Sequence, residues 1–503
     1  MGNRQPAGPR GHRHRHGRTL FRLHRRRRFE LFGSTRLSEP RRARGVDSTR
    51  IPLLVFAKPP RAGVAKTRLA ARLGDDGAAA LARAFFDDTW ATVSALSWAE
   101  PILVTTEPEA PEWRAAGIRL GSRSIWPQAE GDLGARLETA FRRALADSTA
   151  VLAIGTDSPG LPADLLEAAR VALAESDAVL GPSTDGGYYL LGLRRCPEGL
   201  LADLPWSSAE TLDRTRERLR ERGLRVEVLP TWFDVDQPED LAPLRSRLWR
   251  GDLEARTTAR ALVGLVSDTP RISVVVPVLN EERRIETALR DLVDGDRWHE
   301  VIVVDGGSSD RTTEKALAVP GVRVLPSPRG RARQLNTGAR AASGEVLLFL
   351  HADVGLPANA PARIANALAD PAVVAGAFRT WTVADDLGDR DGRRSWLAPL
   401  LHLGDLRSRY SGLPYGDQAL FVRAGVFERL GGYPDQPLME DLELARRLRR
   451  IGRIRIVPAR VRVSGRRFLA RPLYYFALVN FLPLFYALGV PAHRLARLYG
   501  DPR

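Results

Sequence analysis

The stretch Val346-Leu-Leu-Phe-Leu-His351-Ala-Asp353-Val354 decides how this chain is read. Five apolar residues in a row, Val346–Leu350, predict a strand buried on both faces, as in a parallel sheet covered by helices. The run then breaks on His351, Ala352 and Asp353. A carboxylate at the C-terminal end of such a strand faces the crevice in which open α/β sheets hold ligands. Asp is seldom buried without a partner or a cation. Asp353 is therefore the first candidate for holding a divalent cation against a phosphate.

Working outward, the same pattern repeats upstream. Arg271–Leu279 (RISVVVPVL) is a buried strand followed by Asn280-Glu281-Glu282, which opens a helix over Arg283–Leu292. Glu300–Asp305 (EVIVVD) is the next strand, and Gly306-Gly-Ser-Ser-Asp310 follows it. A strand-end carboxylate with a Gly/Ser turn suits recognition of a base and ribose at a switch point, which makes Asn280, Glu281, Asp305 and Asp310 candidate binding residues. Arg331 and Arg333 begin the helix leading back to Val346. Downstream, Tyr415-Gly-Asp417-Gln418 precedes a strand over Ala419–Arg423, and Met439-Glu440-Asp441 opens a helix over Leu442–Ile451. A helix N-terminus favours ionised carboxylates, as a general base requires. Glu440 and Asp441 are the catalytic candidates; Arg331, Arg333, Asp417 and Gln418 are binding candidates.

A second set of such strands precedes position 250. Ile51–Ala57 (IPLLVFA) runs into Lys58-Pro-Pro-Arg-Ala-Gly-Val-Ala-Lys66-Thr-Arg68, and a helix begins near Leu69. Strand, basic loop and helix start together make an anion cradle, although the spacing of a P-loop is absent. Arg outnumbers Lys 73 to 3, and two of the three Lys lie in this loop. Val151–Gly155 ends in Thr156-Asp157-Ser-Pro, Asp185-Gly186-Gly187 leads into the strand Tyr189–Leu193, and Thr231–Asp236 reads as a short strand ending on Asp234 and Asp236. Lys58, Lys66, Arg68, Asp185, Gly186 and Gly187 are candidate binding residues, and Asp157 and Asp236 candidate metal ligands, because acidic strand ends facing a basic loop describe a metal–nucleotide site.

A length of 503 residues predicts two domains with additions. The expected division is an Arg-rich disordered arm over 1–50, a first α/β domain over 51–250, a linker over 251–270, a second α/β domain over 271–465 and a C-terminal helical segment over 466–503. The net charge of +16 suggests nucleic acid only until it is located. Residues 1–50 hold 15 Arg and three acids, a net of +12, which leaves +4 for the rest. The body is thus not a nucleic-acid binder. A single cysteine, Cys196, excludes an internal disulfide and suits a reducing cytoplasmic setting. The apolar stretch 473–490, interrupted by Asn480 and Pro483 and preceded by Arg466, Arg467 and Arg471, fits short helices at the inner membrane face or a packed helical pair better than a span.

Residues 271–465 resemble family 2 glycosyltransferases of the GT-A fold, through Val276-Pro-Val-Leu-Asn280-Glu281, Val304-Asp305-Gly-Gly-Ser-Ser-Asp310, Leu350-His-Ala-Asp353 and Glu440-Asp441. The resemblance implies a nucleotide-sugar donor, with Glu281 and Asp305 near the nucleoside. It also implies Mg²⁺ or Mn²⁺ on Asp353, Asp441 as base, and a small-molecule or lipid acceptor. His351 departs from it, standing where an Asp of the usual DxD motif would be. The segment through Tyr499 is similar to a subfamily named for arsenosugar biosynthesis. Residues 51–250 resemble a family of unknown function, DUF2064, and GT-A nucleotidyltransferases, through Lys58, Lys66-Thr-Arg68, Thr156-Asp157-Ser-Pro, Asp185-Gly-Gly and Asp234/Asp236. Two tandem GT-A-like, Rossmann-like domains are therefore expected, the second a metal-dependent inverting glycosyltransferase. Two alternatives remain open: a first half that activates a phosphorylated small molecule with a nucleotide, or one half acting as a non-catalytic membrane-attached binding module.

Overall fold

The computed structural model describes residues 50–115, 124–265, 269–295, 297–383, 405, 412–465 and 472–499. The arm expected over 1–50 lies outside these residues except for Arg50, as do Arg466, Arg467 and Arg471. The described chain contains two mixed sheets.

The first sheet consists of β1 (Ile51–Phe56), β2 (Ala99–Thr105), β3 (Ile125–Pro127), β4 (Val151–Ile154), β5 (Ala178–Pro182), β6 (Tyr188–Leu193) and β7 (Val226–Val228). Its order is β3-β2-β1-β4-β6-β5-β7, with only β6 antiparallel to its neighbours. The second consists of β8 (Ile272–Val278), β9 (Glu300–Asp305), β10 (Val322–Pro326), β11 (Val346–Phe349), β12 (Val354–Gly355), β13 (Val373–Val383), β14 (Phe421–Arg423) and β15 (Arg453–Ser464). Its order is β10-β9-β8-β11-β14-β13-β15-β12. Setting the short β12 aside, order and strand directions repeat those of the first sheet, with β14 in the place of β6. The chain is thus two GT-A-like α/β domains in tandem.

The central strands are apolar on both faces because each sheet separates two cores. Val346, Leu348 and Leu350 enter one core of the second sheet, and Leu347 and Phe349 enter the other. In β1, Leu54 faces one core and Leu53 and Val55 the opposite one. Each such side chain contributes about 1.5–3 kcal/mol by burial, which fixes the strands and leaves their C-terminal ends as the places where polar groups are tolerated.

Two expectations differ from the structure. Thr231–Asp236 forms no strand; only Trp232 bridges to Ser183. The stretch 251–270 is not a bare linker, because Arg256–Leu265 is a helix. Its Leu262 packs with Leu81 and Phe85 of the helix Ala70–Ser94. The buried Asp88 carboxylate accepts from the Thr257 and Thr258 amides at 2.9 and 2.8 Å. It thereby satisfies donors that a helix start leaves open. The two domains meet nearby. Buried Arg423 at the end of β14 donates to the carbonyls of Leu248 and Trp249, at 3.1 and 3.0 Å, at the end of the helix Leu241–Arg250. It also donates to the carbonyl of Val373 at 2.9 Å. Burial lowers the Arg423 guanidinium to about 10. Arg250 pairs with Glu428 at 2.7 Å across the same seam.

Candidate active site

In the second domain, β11 ends and the chain turns through His351, Ala352 and Asp353 before β12 joins the far edge of the sheet against β15. A cavity of about 280 Å³ opens there. Its walls include Asp353, His351, Glu281, Arg331, Asp417 and Asp441, which come from five separate segments. Of the expected residues, these are the ones brought together.

Asp441 stands at the start of the helix Glu440–Ile451. Its Oδ2 accepts from the Gly416 amide at 2.7 Å, and its Oδ1 from the Leu442 amide at 2.7 Å. Arg331 Nη2 lies 3.7 Å from Oδ2. Each oxygen keeps a further lone pair, so the carboxylate is held in place and can still accept a proton. A Cβ on Gly416 would stand 3.0 Å from His351 Nε2 and 3.3 Å from Asp441 Oδ2, so any side chain at 416 would crowd both. Met439, just before, adopts φ of 65°, a conformation that costs a non-glycine residue about 1–3 kcal/mol and fixes how the chain enters the helix.

Glu440 is placed differently from its neighbour. Its side chain is 1% exposed and bonds through Oε1 to Arg331 Nε. It does not line the cavity. It orients Arg331, so the sequence expectation of a catalytic Glu440 becomes a positioning role. Burial alone would lower the Arg331 guanidinium, but Glu440 and then Asp441 outweigh that and raise it.

Asn280, Asp305 and Asp310 brace one another's loops. Asn280 adopts φ of 53°, and its Oδ1 accepts from the Ser309 amide at 2.9 Å. The Asp305 carboxylate accepts from the Ser308 amide at 3.1 Å and from the Ser308 hydroxyl at 2.5 Å. Asp310 accepts from the Thr312 amide at 3.0 Å and the Glu282 amide at 3.2 Å. Desolvation pushes the Asp310 carboxyl up, but its Thr312 and Glu282 bonds prevail and hold it below the usual range. Two expected binding residues stand elsewhere. Gln418 is buried, accepting from the Tyr415 amide and donating to the Phe378 carbonyl, because both ends of its amide close a 3₁₀ turn against β13. Arg333 makes an exposed fork with Asp435 at 2.9–3.1 Å, away from the cavity. The sequence reading missed Gln334, whose Nε2 donates to the carbonyls of Val278 and Val304 at 2.8 and 2.9 Å. It also missed Leu482, Pro483 and Tyr499, which line the cavity from the C-terminal helices.

In the first domain, the corresponding strand ends carry a carboxylate cluster. Lys66 adopts φ of 51° and is nearly buried. Its Nζ reaches Asp236 Oδ1 at 2.5 Å and donates to the Val235 carbonyl at 2.8 Å. Asp157, at the end of β4, is pushed up by burial, pulled down by Lys66 and pushed up by Asp236 and Asp185. Burial, then Asp185, Asp157 and Asp236, push Asp234 up to about 6. Asp185 accepts from the Gly187 amide at 2.8 Å and from the Ser183 hydroxyl. Gly186 adopts φ of 89°, and a Cβ there would strike the Ala209 backbone. Lys58 and Arg68 are exposed on the adjoining loop.

Among the described residues, no three His, Cys, Asp or Glu side chains form a group able to enclose a metal. Asp353 can supply one carboxylate, which suits a hard cation brought in with phosphate oxygens and water, as Mg²⁺ commonly is. In the first domain Asp157 and Asp236 belong to the cluster around Lys66, which already bonds Asp236 Oδ1, so a cation there would share Asp236 with Lys66.

Residues 89–208 match the model of uncharacterized proteins conserved in bacteria, DUF2064, and residues 273–431 match glycosyl transferase family 2. Among curated proteins, the chain is 28% identical over 232 residues to a probable glycosyltransferase, YdaM, of Bacillus subtilis (39% of this chain, 51% of that protein). It is 35% identical over 116 residues to the glucosyl-3-phosphoglycerate synthase of Mycobacterium tuberculosis (21% of this chain, 32% of that protein). The chain thus spans about half of the first relative and a third of the second. A solved structure from Desulfovibrio desulfuricans G20, provisionally described as a nucleotide-diphospho-sugar transferase, is 30% identical, covering 43% of this chain and 94% of that one, with a TM-score of 0.38. The chain is a fusion of a DUF2064 domain with a family 2 glycosyltransferase domain.

Proposed function

We propose that the second domain transfers a sugar, with inversion, from a nucleoside-diphosphate sugar to an acceptor hydroxyl. The observation that carries this reading is the meeting of Asp353, Arg331 and Asp441 on one cavity. Asp441 takes the acceptor's proton as its oxygen attacks the anomeric carbon, and the bond to the diphosphate breaks with its electron pair on the leaving oxygen. Asp353 would be the residue that holds Mg²⁺ or Mn²⁺. The metal, when bound, offsets the charge that accumulates on the leaving group. Glu281, Asp305 and Asp310 shape the nucleoside end, and Asn280 keeps their loops closed. Arg331 is fixed by Glu440 with its guanidinium on the cavity wall, where it attracts phosphate. The acceptor is a small molecule or a lipid hydroxyl.

The first domain is read as a nucleotide-binding partner of the second. On this reading the exposed Lys58 and Arg68 meet phosphates, and the carboxylate cluster around Lys66 meets a cation carried with them. The test is a panel of nucleoside-diphosphate sugars offered to the full chain with and without Mn²⁺. Metal-dependent release of nucleoside diphosphate is expected for at least one donor. No release from any donor would overturn the reading.

A further inference from the structure

The C-terminal helices Pro472–Ala487 and Ala492–Tyr499 present apolar side chains in two directions. One set, Leu478, Leu482, Tyr486 and Leu495, packs with Leu438, Met439 and Leu442 at the start of the helix that carries Asp441. The other set faces outward. Tyr474, Phe481, Leu484 and Phe485 fall at helical spacing on one side of the first helix, with Leu488 just beyond, and each is at least 40% exposed. A helix that is apolar all round is normally enclosed, and a contiguous bare apolar stripe marks a contact surface.

The charge around the stripe selects its occupant. Residues 472–499 contain no Asp or Glu, while His493, Arg494 and Arg497 are exposed. A second copy of this face would bring cations against cations. An anionic bilayer offers an apolar interior under a negative surface. Crossing is not the mode, since no helix among the described residues is long and apolar enough to span a membrane. The 16-residue helix extends about 24 Å, short of a hydrocarbon core of roughly 30 Å.

Leu482 and Pro483 line the cavity, and their chain neighbours Phe481 and Leu484 belong to the bare stripe. Cavity wall and outer face are therefore two sides of one helical turn. We propose that this helix pair docks in the headgroup region of an anionic bilayer. The cavity then opens at the membrane surface, and its acceptor is an amphiphile whose hydroxyl stands at headgroup level. Docking rests on the exposed face alone; the acceptor class rests also on the glycosyl-transfer reading.

The test is flotation of the full chain with phosphatidylcholine vesicles, with and without phosphatidylglycerol. Binding to the phosphatidylglycerol vesicles is expected, and added salt should weaken it. The double variant Leu484→Glu/Leu488→Glu should lower the bound fraction about tenfold, with unchanged melting and unchanged hydrolysis of a donor sugar to water. Failure of the wild type to float, or equal flotation of the variant, would overturn the proposal. So would a wild-type dimer that the variant makes monomeric, since the face would then belong to a second copy. Intact flotation with no donor hydrolysis in the wild type would support docking while counting against the proposed reaction.

Discussion

The two domains share a strand order and differ in what stands at their strand ends. In the first, the cation is Lys66, paired with an Asp236 whose side chain is 40% exposed. In the second it is Arg331, paired with a Glu440 whose side chain is 1% exposed, and it also faces Asp441. Asp157 and Asp353 follow corresponding strands, β4 and β11, yet Asp157 stands in a cluster of carboxylates and Asp353 on a cavity wall. One scaffold therefore carries two electrostatic designs, because the sheet fixes where the loops begin and the loops decide the chemistry.

The largest effect should come from the cavity itself. Asp441→Asn should lower kcat for transfer by about 10²–10⁴-fold, the usual range for a lost general base. Donor affinity and melting should stay near wild type. Steady-state kinetics check this, and near-normal kcat would remove Asp441 from the proton transfer.

Next, the depth of the two ion pairs can be compared directly. Arg331→Met leaves a buried carboxylate without its counter-charge, which costs about 3–5 kcal/mol when the partner is fully buried. Adding Glu440→Gln should recover part of that. Lys66→Met should cost at most about 1 kcal/mol, because solvent screens its exposed partner. Urea denaturation gives both values, and equal losses would erase the contrast.

The smallest effect concerns pH. Asp234 is raised from 3.8 to about 6 in the folded chain. The folded state then binds more protons than the unfolded state between those values, so stability should fall as pH rises through that window. Asp234→Asn should flatten the fall in metal-free buffer. Urea midpoints across the window check the slope, and an unchanged slope would mean that burial and the neighbouring carboxylates do not raise Asp234 in the folded chain.

These contrasts also show what was legible in the sequence. The central strands could be read because both faces of each sheet are buried, and runs such as Val346–Leu350 have no other comfortable setting. Asp353 and Asp441 were visible as polar residues at element ends. The Arg331–Glu440 pair was not: each residue was a candidate on its own, but 109 positions separate them and nothing in the sequence pairs them. The helix Arg256–Leu265 was missed for a similar reason: its amides are capped by Asp88, about 170 positions upstream. The C-terminal helices read as a membrane or packing segment, and only their contacts with Leu438, Met439 and Leu442 make them part of the cavity.

The central claim is that the strand-end carboxylate of the second sheet holds a cation that grips a diphosphate. Titrating nucleoside diphosphate into the full chain, with and without Mn²⁺, tests it most directly when wild type and Asp353→Asn are compared. Wild type should bind at least roughly tenfold more tightly with Mn²⁺, an increment of about 1.4 kcal/mol, and Asp353→Asn should lose that increment while melting as wild type does. An increment that survives Asp353→Asn would contradict the account.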